Sequence, residues 1–283
     1  MKAVTLIFLS LLVGACNMND TDFKVEIHKP CIYLAKNHSE PTINLEADKW
    51  FKEARQLEKE IGKPRDYKYI AELYQKAVDK KHWKAMVNLS QMYDVGLGVE
   101  KNPKKSITLL NELISMDATA GFIDMGSLYS TGLGVTKDMK KAESYIYEAS
   151  IRGNSRAQTI LGERLIFKHD NREDEGKHLL ECALQQESWK AANVLSSYYH
   201  HIKDDNRKSL EYVLLGIKNG DEDSITSLIL DYSGGDMIVK RNKEKVDCLR
   251  DLRKELKTEP NKKLPDVESR CGISFDDLLP DRK

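Results

Sequence analysis

Cysteine and histidine are the side chains here whose chemistry depends most on spacing, and the chain carries five and seven of them. Apart from Cys16, the thiols are Cys31, Cys182, Cys248 and Cys271. No interval is Cys-x-x-Cys, so neither a zinc site nor dithiol redox chemistry is indicated. In an oxidising compartment four thiols allow three full pairings. Cys248 and Cys271 are the nearest in sequence and form the candidate disulfide, worth roughly 3 kcal/mol on chain-entropy grounds. Cys182 lies in a helical pattern beside Ala183 and reads as a small buried thiol. The histidines (His28, His38, His82, His169, His178, His200, His201) form no His-Glu-x-x-His, and no Gly-x-Ser-x-Gly elbow occurs. On a helix His200 and Asp204 would share a face, and with His201 and Asp205 they could be drawn as a metal site. A polar helix end entering a loop is the plainer reading. Asp221-Glu222-Asp223 suits a helix start, where negative charge complements the dipole, and calcium-loop spacing is absent. The reading is of a non-enzyme with no cofactor and no metal.

Composition narrows the class of partner. The 283 residues include 45 basic and 45 acidic side chains and are 40% hydrophobic, enough for a buried core. A neutral balance lacks the basic surface that displaces phosphate counterions, so nucleic acid is not the expected partner. Seven prolines and 16 glycines are too few for a disordered or collagenous chain.

The first 15 residues read as an address. Lys2 precedes an apolar run, Ala3 to Val13, broken by Thr5 and Ser10 and too short to span a bilayer as a helix. Val13-Gly14-Ala15-Cys16 resembles a bacterial lipobox, which implies cleavage after a 1–15 signal peptide and lipidation of Cys16. An ordinary secretory signal that happens to precede a cysteine is the alternative. Resemblance to enterobacterial lipoproteins implies that Asn17, in place of Asp, favours the outer membrane. The expected location is the cell envelope, lipid-anchored at the outer membrane and facing the periplasm, with 16–44 as lipidated N-terminus and spacer. Within it, Phe23 to Ile27 alternates like a short strand.

What must position any functional residue is a repeat. Ala85 to Val99 aligns without a gap on Gly121 to Val135 at an offset of 36, and Gly-Leu-Gly-Val ends both. Small, apolar and Tyr residues at the first, fifth and ninth places make one helical face. After each glycine turn a second helix opens, at Asn102-Pro103 and at Asp138, where capping side chains and a first-turn proline belong. The pattern decays through Ala157–Leu165, Ala191–Tyr199 and Ser224–Tyr232. Asp66 to Ala77 matches Asp138 to Ala149 at twice the period, and the whole predicts about five helical hairpins, Leu45 to Ile61 as the first helix of an unpaired leading unit, and a closing helix near Asn242 to Thr258. The Gly-x-Gly segments follow no strand and precede no Gly-Lys-Ser/Thr, so they read as turns and not as phosphate cradles.

The pattern Ala-x-x-x-Leu-Gly-x-x-Tyr, Gly-x-Gly-Val, Asp-x-x-Lys-Ala and Ala-x-x-x-Gly resembles the Sel-1-like repeat family, relatives of tetratricopeptide repeats. Gly121 to Gly153 carries nearly all of it, with Gly121 for the leading Ala and Met125 for the Leu. The resemblance implies an all-α, right-handed α-solenoid of helical hairpins over 45–240, with 241–283 as C-terminal capping helix and tail. Cys271, Ile273, Phe275, Leu278 and Leu279 suggest a tail folded back over the open end. In this repeat type the first helix of each hairpin lines a concave groove. Carried onto this chain, the lining is Lys84, Val87, Gln91 and Asp94, then Ile123, Ser127 and Ser130, then Thr159 and Glu163, then Asn193, Ser197 and His200, and Thr226. The family resemblance implies a protein partner. Short lipid-anchored members often act as immunity proteins against secreted antibacterial effectors, notably phospholipase-type toxins of the type six secretion system. A structural or regulatory envelope adaptor is the alternative.

Overall fold

The computed structural model describes residue 31 and residues 40–60, 64–167, 171–234, 238–259 and 262–279. Cys16 and the signal segment, Phe23 to Ile27, His28, His38 and His169 lie outside the described residues. Among the described residues there are thirteen α-helices and no strand beyond one isolated bridge, Val239 to Leu278. Consecutive helices pair: α1 (Leu45–Lys59) with α2 (Tyr67–Val78), α3 (Trp83–Val95) with α4 (Pro103–Ser115), and α5 (Thr119–Thr131) with α6 (Met139–Ile151). The series continues with α7 (Ser155–Phe167) on α8 (Glu173–Leu184), α9 (Trp189–His201) on α10 (Asn206–Lys218), and α11 (Glu222–Gly234) on α12 (Lys243–Thr258). A short α13 (Val267–Cys271) and a 3-10 turn (Phe275–Asp277) close the chain. The molecule is an all-α repeat solenoid.

Six hairpins replace the expected five. The leading helix is not unpaired, because α2 buries Ile70, Leu73, Tyr74 and Ala77 and gives α1 a partner. Nor is the closing helix separate: α12 buries Val246, Leu249, Leu252 and Leu256 against α11 as its second helix. The sequence boundary at 240/241 therefore falls inside a hairpin.

Four of the six hairpins are set by the same turn. The backbone N–H of the residue that caps the second helix donates to the carbonyl of a tyrosine near the end of the first. The pairs are Asn102 to Tyr93 (2.8 Å), and Asp138 to Tyr129, Asp205 to Tyr199 and Asn242 to Tyr232 (each 2.9 Å). The cap side chain then accepts from the third amide of its own helix, that of Lys105, Lys141, Lys208 or Lys245, satisfying an otherwise orphaned donor. The ammonium groups of those four lysines lie 5.1, 5.3, 4.8 and 5.5 Å from the same tyrosine rings.

The two glycines of the strong turns have different jobs. Gly96 and Gly132 end α3 and α5 at φ of 80° and 82°, donating to the carbonyls of Met92 and Leu128. Gly98 lies where a Cβ would sit 2.1 Å from the Tyr67 carbonyl oxygen, and at Gly134 it would sit 2.7 Å from Pro103 Cβ. The second glycine thus lets one hairpin's turn touch the second helix of the hairpin before it.

Two disulfides tie the ends. Cys248–Cys271 joins α12 to α13, with Cα atoms 5.6 Å apart. Cys182 is not a free buried thiol: it pairs with Cys31 across 151 residues, Cα to Cα 5.0 Å. Its neighbour in sequence, Ala183, misled the reading, since a partner so distant in sequence leaves no local signature. The N-terminal segment touches the body again at Glu40, whose carboxylate accepts from the Thr119 backbone N–H at 3.2 Å. The tail covers the far end. Ile238, Val239, Leu264, Val267 and Ile273 are buried with the core of α10 to α12, and the Leu279 N–H donates to the Ile238 carbonyl at 2.9 Å.

Three outcomes follow for stability. Gly98→Ala should cost about 3 kcal/mol in denaturant unfolding, combining a left-handed backbone at φ 70° with the backbone clash. Gly272→Ala, at φ 60° with open space around it, should cost only about 1 kcal/mol. Cys31→Ser should lower stability by up to about 5 kcal/mol, the chain-entropy value for so large a loop.

Candidate partner-binding site

The expected face belongs to the first helices α3, α5, α7, α9 and α11, with α3 packed on α5 and α7 on α9 as well as on their hairpin partners. Lys84, Gln91, Ser127 and Glu163 are exposed on it, while Val87, Asp94, Ser130, Asn193 and Ser197 are half-buried. Three predicted lining residues are used up internally. Ile123 is 4% exposed and belongs to the core with Ala149, Ala157 and Leu161. Thr159, 5% exposed, donates to the Ser155 carbonyl and lies 3.1 Å from Ser188 Oγ, sealing α7 to the turn before α9. Thr226 accepts from Arg253 of α12 at 3.4 Å, so it faces its own hairpin partner. Fixed offsets from the conserved apolar position ignore how far each pair of hairpins is rotated, and at these sites a neighbour covers the position.

Gln91 Nε2 donates to Asp124 Oδ2 of the next first helix at 3.4 Å. Burial raises the Asp124 carboxyl above the usual range, against the pull of Arg156 and of that bond, with the Asp94 charge adding to the rise. Asp94 is likewise pushed up by burial, opposed by the Ser106 hydroxyl and Lys101. Further along, Asn193 Nδ2 donates to Asp221 Oδ2 at 2.9 Å, and the same oxygen caps α11 by accepting from the Ser224 N–H at 2.7 Å.

At the C-terminal end this face opens into a cavity of about 280 Å³ between α9, α10 and α11. Asn193, Ser197 and His200, all expected on the face, line it together with Ser196, Ser209, Asp223 and Asp231. Ser196 and Ser209 Oγ pair at 3.1 Å. His200 is 7% exposed, and its Nδ1 lies 3.0 Å from Asn206 Oδ1. Asp231 is 4% exposed, and burial pushes its carboxyl up to about 6, against the pull of His200. Sequence reasoning missed Asp231 and Asn206. The one available signal for Asp231 was a carboxylate between Leu228, Ile229 and Tyr232, all buried.

The sketched metal site does not assemble. Helix α9 ends at His201, Asp204 sits in the turn at φ 51°, and Asp205 caps α10. Among the described residues, one grouping has metal-like proximity, Cys31, His178 and Cys182. Its two sulfurs are joined to each other and offer no thiolate.

The fold and this polar face define a repeat scaffold. The chain contains Sel1 repeats, with the Sel1 repeat profile matching residues 83–116 and 123–154. No curated protein matches the chain in sequence. Among solved structures, the immunity protein Pa5087 from Pseudomonas aeruginosa is similar at 27% identity, over 85% of this chain and 92% of that one, with a TM-score of 0.68. Pseudomonas aeruginosa 5086 is similar at 26% identity, over 87% and 95%, TM-score 0.69. The Sel1 repeat protein from Oxalobacter formigenes shares the fold at 23% identity, over 74% and 87%, TM-score 0.58.

Asp231 makes stability depend on pH in a defined sense. Its folded value, about 6, lies above the model-compound 3.8, so the folded state holds the proton more tightly. The stability this contributes is complete below the lower value and is lost as pH rises through the upper. The loss should reach about 3 kcal/mol at alkaline pH. Asp231→Asn should therefore be more stable than wild type at pH 8, with the difference closing toward pH 4, as read from melting temperatures. His200, His201 and Asp223 share the cavity wall, and because His200 pulls on the Asp231 carboxyl, the difference between the two proteins includes that coupling.

Proposed function

We propose that this chain is an immunity protein: a non-catalytic, lipid-anchored scaffold that binds a secreted antibacterial effector on the face of its first helices and neutralises it in the periplasm. The observation that carries this reading is the likeness to the Pseudomonas aeruginosa immunity protein, which runs through nearly the whole of both chains at one fold. Two disulfides support export, since such bonds persist in oxidising compartments. The lipobox-like Val13 to Cys16 supports anchoring, and Asn17 the outer membrane. Tethering adds a physical advantage, because an inhibitor confined to the envelope meets an arriving toxin at raised local concentration. A phospholipase-type effector of the type six secretion system is the partner favoured by the repeat resemblance.

The test is co-expression with periplasm-directed phospholipase-type effectors, scored by survival and by recovery of a one-to-one complex. The protein should rescue growth against its cognate toxin. The triple variant Gln91→Arg, Glu163→Arg, Ser197→Arg should keep its melting temperature within a few degrees and lose affinity by about a hundredfold, as placing charge at an interface centre does. Absence of both protection and complex across the effector class would end the reading. Capture of several housekeeping envelope proteins in place of one effector would favour the adaptor. Loss of palmitate labelling in Cys16→Ser tests the anchor.

A further inference from the structure

The cavity at the end of α9 has an acceptor problem that no described residue resolves. His200 Nε2 is buried and unpartnered, although the ring lines the cavity wall. The tail decides what that nitrogen offers. Leu279, brought over α10 by the returning C-terminus, accepts from Asn206 Nδ2 at 3.5 Å. That leaves Asn206 Oδ1 toward His200 Nδ1 at 3.0 Å, and an amide oxygen can only accept. The proton of the uncharged ring therefore sits on Nδ1, and Nε2 presents a lone pair to the cavity. Beside it stands the Asp231 carboxylate, nine-tenths buried and held by no hydrogen bond or ion pair among the described residues. The Ser197 and Ser227 hydroxyls and the Asp223 carboxylate complete a wall rich in acceptors and, among the described residues, without a lysine or arginine.

Buried acceptors of this kind want a donor, and a buried carboxylate wants a positive one. A volume of about 280 Å³ lies below the usual range for a small-molecule site but accommodates the end of one long side chain. The cavity also shares Asn193, Ser197 and His200 with the partner-binding face, so an occupant can enter from a protein lying on that face. We infer that this cavity is a socket for one arginine side chain of the protein partner, its guanidinium paired with the Asp231 carboxylate and donating to His200 Nε2. This rests on the binding face proposed above but not on the identity of the effector. A planar guanidinium, with five donors in a fork, can serve both acceptors of this one cavity better than an ammonium, which carries its charge at a point.

The test needs no partner. N-acetylarginine methylamide is titrated into the full-length mature protein while the His200 ring Cε1–H resonance is followed by NMR, with N-acetylcitrulline methylamide as the uncharged counterpart. Expected is a saturable His200 shift with the arginine compound, none with citrulline, and affinity weakened at least about tenfold in Asp231→Asn, the size of a lost charge-assisted bond. Agmatine serves as the free-cation arm. If agmatine binds more tightly than the capped arginine, the occupant is a free small cation and the assignment to a partner side chain is overturned. No saturable shift, or equal shifts from arginine and citrulline, or an unaltered response in Asp231→Asn, each overturns the socket. A positive titration in a protein that protects against no effector would leave the socket standing and remove the immunity role.

Discussion

The constraint on which this structure depends is the joint between the two helices of a hairpin. A turn must end one helix and start the next within a few residues while satisfying the orphaned donors at the second N-terminus. Here the cap residue does this twice, once with its backbone N–H on a tyrosine carbonyl and once with its side chain on an amide of its own helix. Because the same bonds recur in four of the hairpins, the crossing of first and second helices is fixed alike in each, and stacking of equal units follows. The lysine that donates the capped amide also lays its ammonium over the tyrosine ring, so cap, turn and ring form one unit. An effect of single substitutions on neighbouring hairpins is built in: Gly98 belongs to one turn but its absent Cβ makes room for Tyr67 of the previous hairpin.

Local features were legible in the sequence where backbone geometry demands particular residues. The Gly-x-Gly turns and the Asn102 and Asp138 caps were readable because few residues take a left-handed backbone or cap a helix well. The sixth hairpin was less legible because its internal turn lacks the Gly-x-Gly-Val segment of the two strong units. At the returns between hairpins, Lys81, Asp117 and Glu187 hold φ near 60°, where Gly153 and Gly220 show what the geometry prefers. A reader following glycines alone loses the phase there. Sites formed by residues distant in sequence were illegible for a different reason. The Cys31–Cys182 bond and the Leu279–Asn206–His200 relay join segments 151 and 73 residues apart, and neither has a periodic signature.

The two ends of the solenoid solve a shared problem in different ways. An open-ended stack exposes the apolar side of its last helix, and this chain covers it with its own tail. Asp277 anchors that tail by accepting from the Tyr232 hydroxyl at 2.7 Å and pairing with Lys245. Burial alone would raise the Asp277 carboxyl, but the bonds from Lys245, the Ser274 backbone and Tyr232 outweigh it and hold it low. The N-terminal segment instead reaches past its own hairpin, to Thr119 through Glu40 and to α8 through Cys31. The 14 residues between Cys16 and Cys31 reach at most about 50 Å when fully extended, which bounds how far Cys16 can stand from α8 in the middle of the stack.

Polar groups on the first-helix face are not distributed as a solvated surface would distribute them. Exposed polar residues, Lys84, Gln91, Ser127 and Glu163, alternate with carboxylates that burial has driven upward, Asp94, Asp124 and Asp231. A buried acid without a full set of partners costs stability, and apolar replacements at such positions would be cheaper for the fold alone. Asp94 and Asp124 are half-buried and Asp231 is buried; all three lie on first helices, the most perturbed in the cavity that His200 also lines. A cost concentrated on one face is what a binding surface shows when it is built for a ligand that brings the missing donors. The tail that hides the solenoid's end is also the segment whose carbonyl orients Asn206, so the element that completes the core sets the chemistry of the cavity.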